Sequence, residues 1–292
     1  MAGWHAFPSG LIIGTFPAWI FRMDELRILE IVNQIKALIL DMDGVLWRET
    51  QPIGILPEIF STIRVNGWSV VLVTNNATKS TDQYVDKLKS FGVDVEDSQI
   101  VTTATTTSHY LSLIFPSGGP VYVIGEEGLL NTLEEYGFYL SEENPVAVIS
   151  SLDRTLTYQK LRKASHLINS GTLFIGTNPD RALPTPEGLI PGAGSILAAL
   201  EKATGKHAKV IGKPFPDMFQ FALSRLGVRP QEALVVGDQL ETDIVGGHAA
   251  GCYTALVLTG VSSKEAAESA DPGPTLIESD LTSLINKLAK WK

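Results

Sequence analysis

The sequence predicts an α/β fold: a doubly wound, Rossmann-like parallel sheet with helices on both faces, into which a smaller α/β unit is inserted. Three observations predict it. Short Val- and Ile-rich runs alternate with helix-period stretches along the chain, the pattern of parallel strands buried on both faces and joined by helical crossovers. Several of those runs end in a polar, chemically capable residue, and in open α/β sheets the ligand crevice lies just beyond the carboxyl ends of the strands. Finally, Lys213 follows Thr74 by 139 residues, whereas a single crossover between parallel strands takes only about 30 to 40.

Residues 1–34 are expected to form an N-terminal arm. Within it, the apolar run Leu11 to Phe21 (LIIGTFPAWIF) lacks a basic start, contains Pro17 and is followed by no small-residue cleavage pattern. It is also too short to span a bilayer, so it makes a poor targeting segment. Met23 opens a more ordinary start, and residues 1–22 are either the product of an upstream start codon or an extra surface-packed arm. The core begins at residue 35, with expected strands at Ala37–Leu40 and Ser69–Val73. Pro120–Ile124, Val146–Ser150 and Thr172–Ile175 supply the inserted unit, placed at residues 103–191 as a lid of about 90 residues. Lys209–Ile211, Ala233–Val236 and Thr254–Leu258 return to the core, which spans 35–102 and 192–292, with Gly192-Ala193-Gly194 as the returning hinge.

Helices fit between these strands. Thr157 is placed to cap a helix through Ile168, with Leu161, Ala164, Leu167 and Ile168 on one face and Gly171 just past the end. Pro216 suits a first helical position, Phe219, Ala222, Leu223 and Leu226 give an apolar stripe, and Gly227 ends the helix.

Composition narrows the function. The chain has 292 residues, 44% of them hydrophobic, and a single cysteine, Cys252, so it buries a sizeable core without disulfides and a reducing cytoplasm is the expected compartment. Its net charge of -9 argues against a nucleic-acid partner and against an anionic membrane surface. The five histidines lack metal spacing, and GGHAAG at Gly246 to Gly251 does not sit at a strand-to-helix turn, as a dinucleotide-binding glycine string must.

The chemistry gathers at four strand ends. Asp41 and Asp43 are two apart at one exit, where Gly44 lets the backbone turn sharply. Converging carboxylates are costly unless a cation neutralises them or one holds a proton, so the pair predicts a hard divalent ion, most simply Mg2+, with Asp238 as a further oxygen donor. Thr74 offers a hydroxyl, and Asn75 a backbone N–H and an amide, to a phosphate docking on a loop that leads into a helix. Lys213 adds the local positive charge that an acidic protein needs to attract a phosphate monoester.

The ordered runs ILDMDGVLW, VLVTNNATKS, IGKPFPDMF and VVGDQLETDIVGG resemble the four motifs of the haloacid dehalogenase superfamily of phosphatases. The resemblance implies Asp41 as nucleophile, Asp43 as general acid/base and Thr74 as the phosphate-binding hydroxyl. It implies Lys213 as the lysine that steadies nucleophile and phosphate, and Asp238 as a metal ligand beside Asp41 and the main-chain carbonyl of Asp43. Asp243 would support the metal's water shell or the lysine. The segment GTNPD, Gly176 to Asp180, with PTPEGLIPGAGS after it, resembles the type-two cap of subfamily IIA, which includes NagD-like and 4-nitrophenylphosphatase-like enzymes. Ser151-Leu152-Asp153 stands where relatives commonly carry Gly-Leu-Asp. Asn178 and Asp180 then either contact substrate from the cap or build a turn. The function so implied is a magnesium-dependent phosphatase acting on a small phosphorylated metabolite through an aspartyl-phosphate. The alternative is a phospho-acceptor or nucleotide-binding regulatory module without turnover. Monomer and homodimer both stay open.

Overall fold

Leu38, Ile39 and Leu40 are consecutive and all fully buried, so the strand that carries them has no solvent face. In the computed structural model, which describes residues 28–185 and 188–292, they occupy the middle of a parallel sheet. The apolar segment at 11–21 and the start at Met23 lie outside the described residues. The strands are β1 (Ala37–Asp41), β2 (Trp47–Arg48), β3 (Gln51–Pro52), β4 (Ser69–Thr74), β5 (Ile100–Thr102), β6 (Gly119–Ile124), β7 (Phe138–Leu140), β8 (Ala147–Ser150), β9 (Leu173–Gly176), β10 (Ala182–Thr185), β11 (Gly188–Pro191), β12 (Lys209–Val210), β13 (Ala233–Gly237), β14 (Tyr253–Val257) and β15 (Leu276–Glu278).

Six of them form the core sheet in the order β15-β14-β13-β1-β4-β5, all pairs parallel. The two-residue period of a strand sends alternate side chains to opposite faces. Leu38, Leu40, Leu72, Leu234 and Val236 enter one apolar cluster, while Ile39, Val71, Val73 and Val235 enter the other. The chain runs outward from β1 through β4 to β5 on one side and from β13 through β14 to β15 on the other. The order therefore switches between β1 and β13, which is where such sheets open a crevice at their carboxyl ends.

Five strands form a second parallel sheet in the order β12-β9-β8-β6-β7. The inserted unit thus extends further than expected. Lys209–Val210 pairs with β9 instead of joining the core. The helix Ala193–Thr204 lays Ile196, Leu197 and Leu200 against Tyr122, Val148 and Phe174 of this second sheet. The return to the core falls after Val210, not at 191. The reason is burial: the apolar stripe of SILAALEKA covers a sheet face that would otherwise be wet. Gly192 and Gly194 are not a loose hinge. A Cβ on either would lie 2.3 or 2.2 Å from a backbone oxygen of Asp180 or Pro179, so both are close-packing positions.

Local signals for helices hold. Thr157 Oγ accepts from the Lys160 N–H at 3.2 Å and starts the helix Tyr158–Asn169. The helix Asp217–Leu226 ends on Gly227 in the left-handed region, with φ 65°, and Pro216 sits one place before its first residue. The two sheets present their carboxyl ends to one another. Gly128, just past β6, lies where a Cβ would come 2.6 Å from the carbonyl carbon of Thr78, and Asn178, just past β9, donates to the Asn75 carbonyl at 2.8 Å. No helix among the described residues is long and apolar enough to cross a membrane.

Candidate active site

β1 ends on Asp41, β4 on Thr74, and β13 on Gly237 immediately before Asp238, so the switch in strand order brings these groups to one crevice. Lys213 reaches it from the crossing segment after β12. Its Nζ donates to Asp41 Oδ1 at 2.6 Å and to Asp243 Oδ1 at 2.6 Å, and all three side chains are buried. One carboxylate oxygen each from Asp41, Asp238 and Asp243 lies within 4.8 Å of the others.

The electrostatics follow from that crowding. Burial holds the Asp41 carboxyl well above its ordinary value, against the pull of Lys213, and the nearby Asp243 and Asp238 charges push the same way. Burial, and then the charge of Asp243, push Asp238 up to about 6. Burial opposes the charge on Lys213, but Asp243 and Asp41 outweigh it and hold the ammonium more tightly than usual. Three carboxylates against one ammonium leave an excess of buried negative charge and an all-oxygen donor set. A hard divalent cation fits this arrangement.

Small residues make the approach feasible. A Cβ on Gly44 would lie 2.6 Å from Asp238 Oδ2, one on Gly237 2.2 Å from the Asp243 side chain, and one on Gly260 1.7 Å from Asp238 Oδ2. Gly44 also has φ +84°, the left-handed conformation that the turn after Asp43 needs. Asp243 stands in a widened helical turn, Leu240–Ile244, and its Oδ2 accepts the Gln239 N–H at 3.2 Å.

The structure brings together Asp41, Lys213, Asp238 and Asp243 and puts Thr74 at the end of the strand beside β1. It places the side chains of Asp43 and Asn75 differently. The side chain of Asp43 lies outside the carboxylate cluster, whose third member is Asp243; Asp43 is exposed and its Oδ1 accepts the Trp47 indole N–H at 2.8 Å. The amide of Asn75 does not face outward to a phosphate. Its Oδ1 accepts the Lys213 N–H at 2.8 Å, and its Nδ2 donates to the Lys213 carbonyl at 3.1 Å and to Asp180 at 3.2 Å. Asn178 is likewise turned inward, bonded to Asn75. Asn178 and Asp180 each bond to Asn75 at the junction between the two units, and the Asp180 N–H closes a turn on Asn178 Oδ1 at 3.1 Å.

Two contributors escaped the sequence. Trp47 orients Asp43 from four residues away, at fully buried depth. The loop after β14 also serves: the Val261 N–H donates to Asp238 Oδ2 at 2.8 Å and the Ser262 N–H to the Asp238 carbonyl at 3.0 Å. The Thr-Gly-Val-Ser run following an expected strand was the available signal.

Comparison with known proteins shows the family. The family model for haloacid dehalogenase-like hydrolases matches residues 38–139, and a second, HAD-hydrolase-like model matches residues 210–284. An acid sugar phosphatase of Staphylococcus aureus is 36% identical over 260 residues, covering 89% of this chain and all of the relative. Among solved structures, a 4-nitrophenylphosphatase from Thermotoga maritima superposes with a TM-score of 0.83 at 35% identity, covering 88% of this chain and 98% of its own. NagD from Escherichia coli K-12 gives 0.78 at 34% identity, covering 85% and 97%. The chain belongs to the haloacid dehalogenase-like hydrolases, in their NagD-like branch of capped phosphatases.

Proposed function

We propose that the protein is a magnesium-dependent phosphatase of small sugar phosphates, working through a phosphorylated Asp41. The observation that carries this reading is the buried Lys213 bridge between Asp41 and Asp243, with Asp238 beside it. The substrate class is suggested by the acid sugar phosphatase relative.

In this reading, Lys213 occupies Asp41 Oδ1, so Oδ2 attacks phosphorus in line. The bond from phosphorus to the leaving oxygen breaks, and Asp43 gives that oxygen a proton. Asp43 then takes a proton from water as the water oxygen attacks phosphorus, and the bond to Asp41 breaks to release phosphate. The Trp47 indole holds Asp43 in place at the exposed edge where a leaving group departs. Thr74 Oγ and the Asn75 backbone N–H receive phosphate oxygens, and Lys213 spreads its charge over nucleophile and phosphate. Asp41, Asp238 and the main-chain carbonyl of Asp43 would hold Mg2+, with Asp243 behind them; when bound, the ion neutralises charge on the transferring phosphoryl group. The inserted unit acts as a cap that excludes bulk water from the crevice.

A phosphate-release screen over sugar phosphates, phosphoglycolate, pyridoxal phosphate and nucleoside monophosphates tests the reading. Release from hexose or pentose phosphates that needs Mg2+ and stops with EDTA is expected. Release unaffected by EDTA, or confined to the non-sugar substrates, would contradict it.

A further inference from the structure

An asparagine amide has two N–H donors and one carbonyl oxygen, and at Asn75 the described contacts engage all of these groups. One N–H serves the Lys213 carbonyl, the other the two oxygens of Asp180, and Oδ1 accepts the Lys213 N–H. The reverse orientation of the amide would set oxygen against a carbonyl and a carboxylate, so the contacts fix it. The main-chain carbonyl of Asn75 accepts two further bonds at 2.8 Å each, from Thr103 Oγ1 and from Asn178 Nδ2. Thr103 is the first residue past β5, where the chain leaves the core. Lys213 stands where it returns, and Asn178 and Asp180 follow β9 of the cap. One residue of the core therefore fastens both crossings and the cap. Gly212 is shaped to allow this, since a Cβ there would lie 2.7 Å from Asn75 Oδ1 and 2.6 Å from the Thr177 carbonyl.

We infer that Asn75 is a positioning residue whose side-chain amide fixes the backbone of Lys213 and ties it to Asp180, so that the seating of the cap sets the aim of the lysine. The inference rests on the role proposed above for Lys213. Misplacing a charged group by a fraction of an ångström acts on the reacting geometry more than on ground-state binding, so the effect falls on kcat.

The test is a donor–acceptor exchange, read in steady-state hydrolysis of 4-nitrophenyl phosphate with saturating Mg2+. Asn75→Asp sets a carboxylate against Asp180 and against the Lys213 carbonyl, and kcat falls about 30-fold with KM within about threefold. Asp180→Asn alone presents an amide oxygen to the Asn75 N–H and keeps kcat within about threefold. The double variant Asn75→Asp/Asp180→Asn restores a donor facing an acceptor and regains about tenfold over Asn75→Asp. A double variant no better than Asn75→Asp, or parental kcat in Asn75→Asp, overturns the inference. Should Asn75→Asp melt below the assay temperature, Asn75→Ala decides: kcat at least about tenfold down with KM held supports it, and parental kcat overturns it. Asp41→Asn, run in parallel, separates the two layers. Full activity there defeats the proposed function itself, whereas a dead Asp41→Asn beside fully active Asn75 variants defeats only this inference.

Discussion

Lys213 Nζ stands 2.6 Å from Asp41 Oδ1 across 172 residues of sequence, with the whole cap lying between them in the chain. The ammonium is shared with Asp243 at the same distance, so a single cation offsets part of the repulsion between two buried carboxylates.

Lys213→Met should expose that dependence. Breaking a buried ion pair by removing one partner costs about 3 to 5 kcal/mol, and here two carboxylates lose their counter-charge. Urea unfolding in EDTA is expected to show a loss of that order, partly recovered with Mg2+. An unchanged midpoint in EDTA would mean the carboxylates do not need the lysine.

The elevation of Asp238 to about 6 would make the proposed metal binding pH-dependent. Below that value a proton competes for the ligand oxygen, so the Mg2+ concentration needed for half-maximal activity should rise as pH falls from about 6 to 5. For stability the sign is opposite to that of an ordinary salt-bridged carboxylate. A carboxyl that holds its proton more tightly when folded favours the native state at low pH. That contribution is lost as pH rises from about 4 to about 6. In EDTA, the stability difference between the parent and Asp238→Asn should decline over this interval; a difference that grows with pH contradicts the shift.

Gly260→Ala tests the crowding around the same carboxylate. The added methyl would lie 1.7 Å from Asp238 Oδ2, so the carboxylate must swing away. A rise of about tenfold or more in the apparent Kd for Mg2+ is expected by calorimetry, as for lost orientation of a metal ligand. An unaltered Kd would show that the loop after β14 yields freely.

Gly128→Ala probes the seat of the cap. The methyl meets backbone atoms of Thr78 and Lys79 at 2.6 to 2.7 Å, which cannot rotate aside as a side chain can. Because a shift of about 1 Å at a reacting centre costs up to about 100-fold, kcat/KM on 4-nitrophenyl phosphate should drop at least about tenfold. Parental kcat/KM would show that this contact does not position the cap.

How much of this was legible in the sequence depended on what each signal reports. The buried strands and the residues at their ends could be read because a strand covered on both faces is apolar throughout, as Leu38 to Leu40 are, and the next polar residue stands out. Which sheet a short apolar run joins is not written in its composition. Lys209–Val210 adjoins the core lysine in sequence yet pairs with β9, and the helix Ala193–Thr204 covers the cap by virtue of its apolar stripe, which would have suited either sheet. Strands of three residues, such as Phe138–Leu140 and Leu276–Glu278, carry too little pattern to be seen before their neighbours are placed. The inward turn of Asn75 was hidden for a different reason. Its partners, Asp180 and Lys213, lie 105 and 138 residues away, and only the packing of the cap onto the core brings them within reach.

The most direct test of the account is the rate of Mg2+-stimulated 4-nitrophenyl phosphate hydrolysis by Asp41→Asn. If Asp41 is the group that accepts the phosphoryl, this nearly isosteric change should lower kcat by at least about 1,000-fold while the protein stays folded, in line with removal of a covalent nucleophile. Hydrolysis at the parental rate would contradict the central claim.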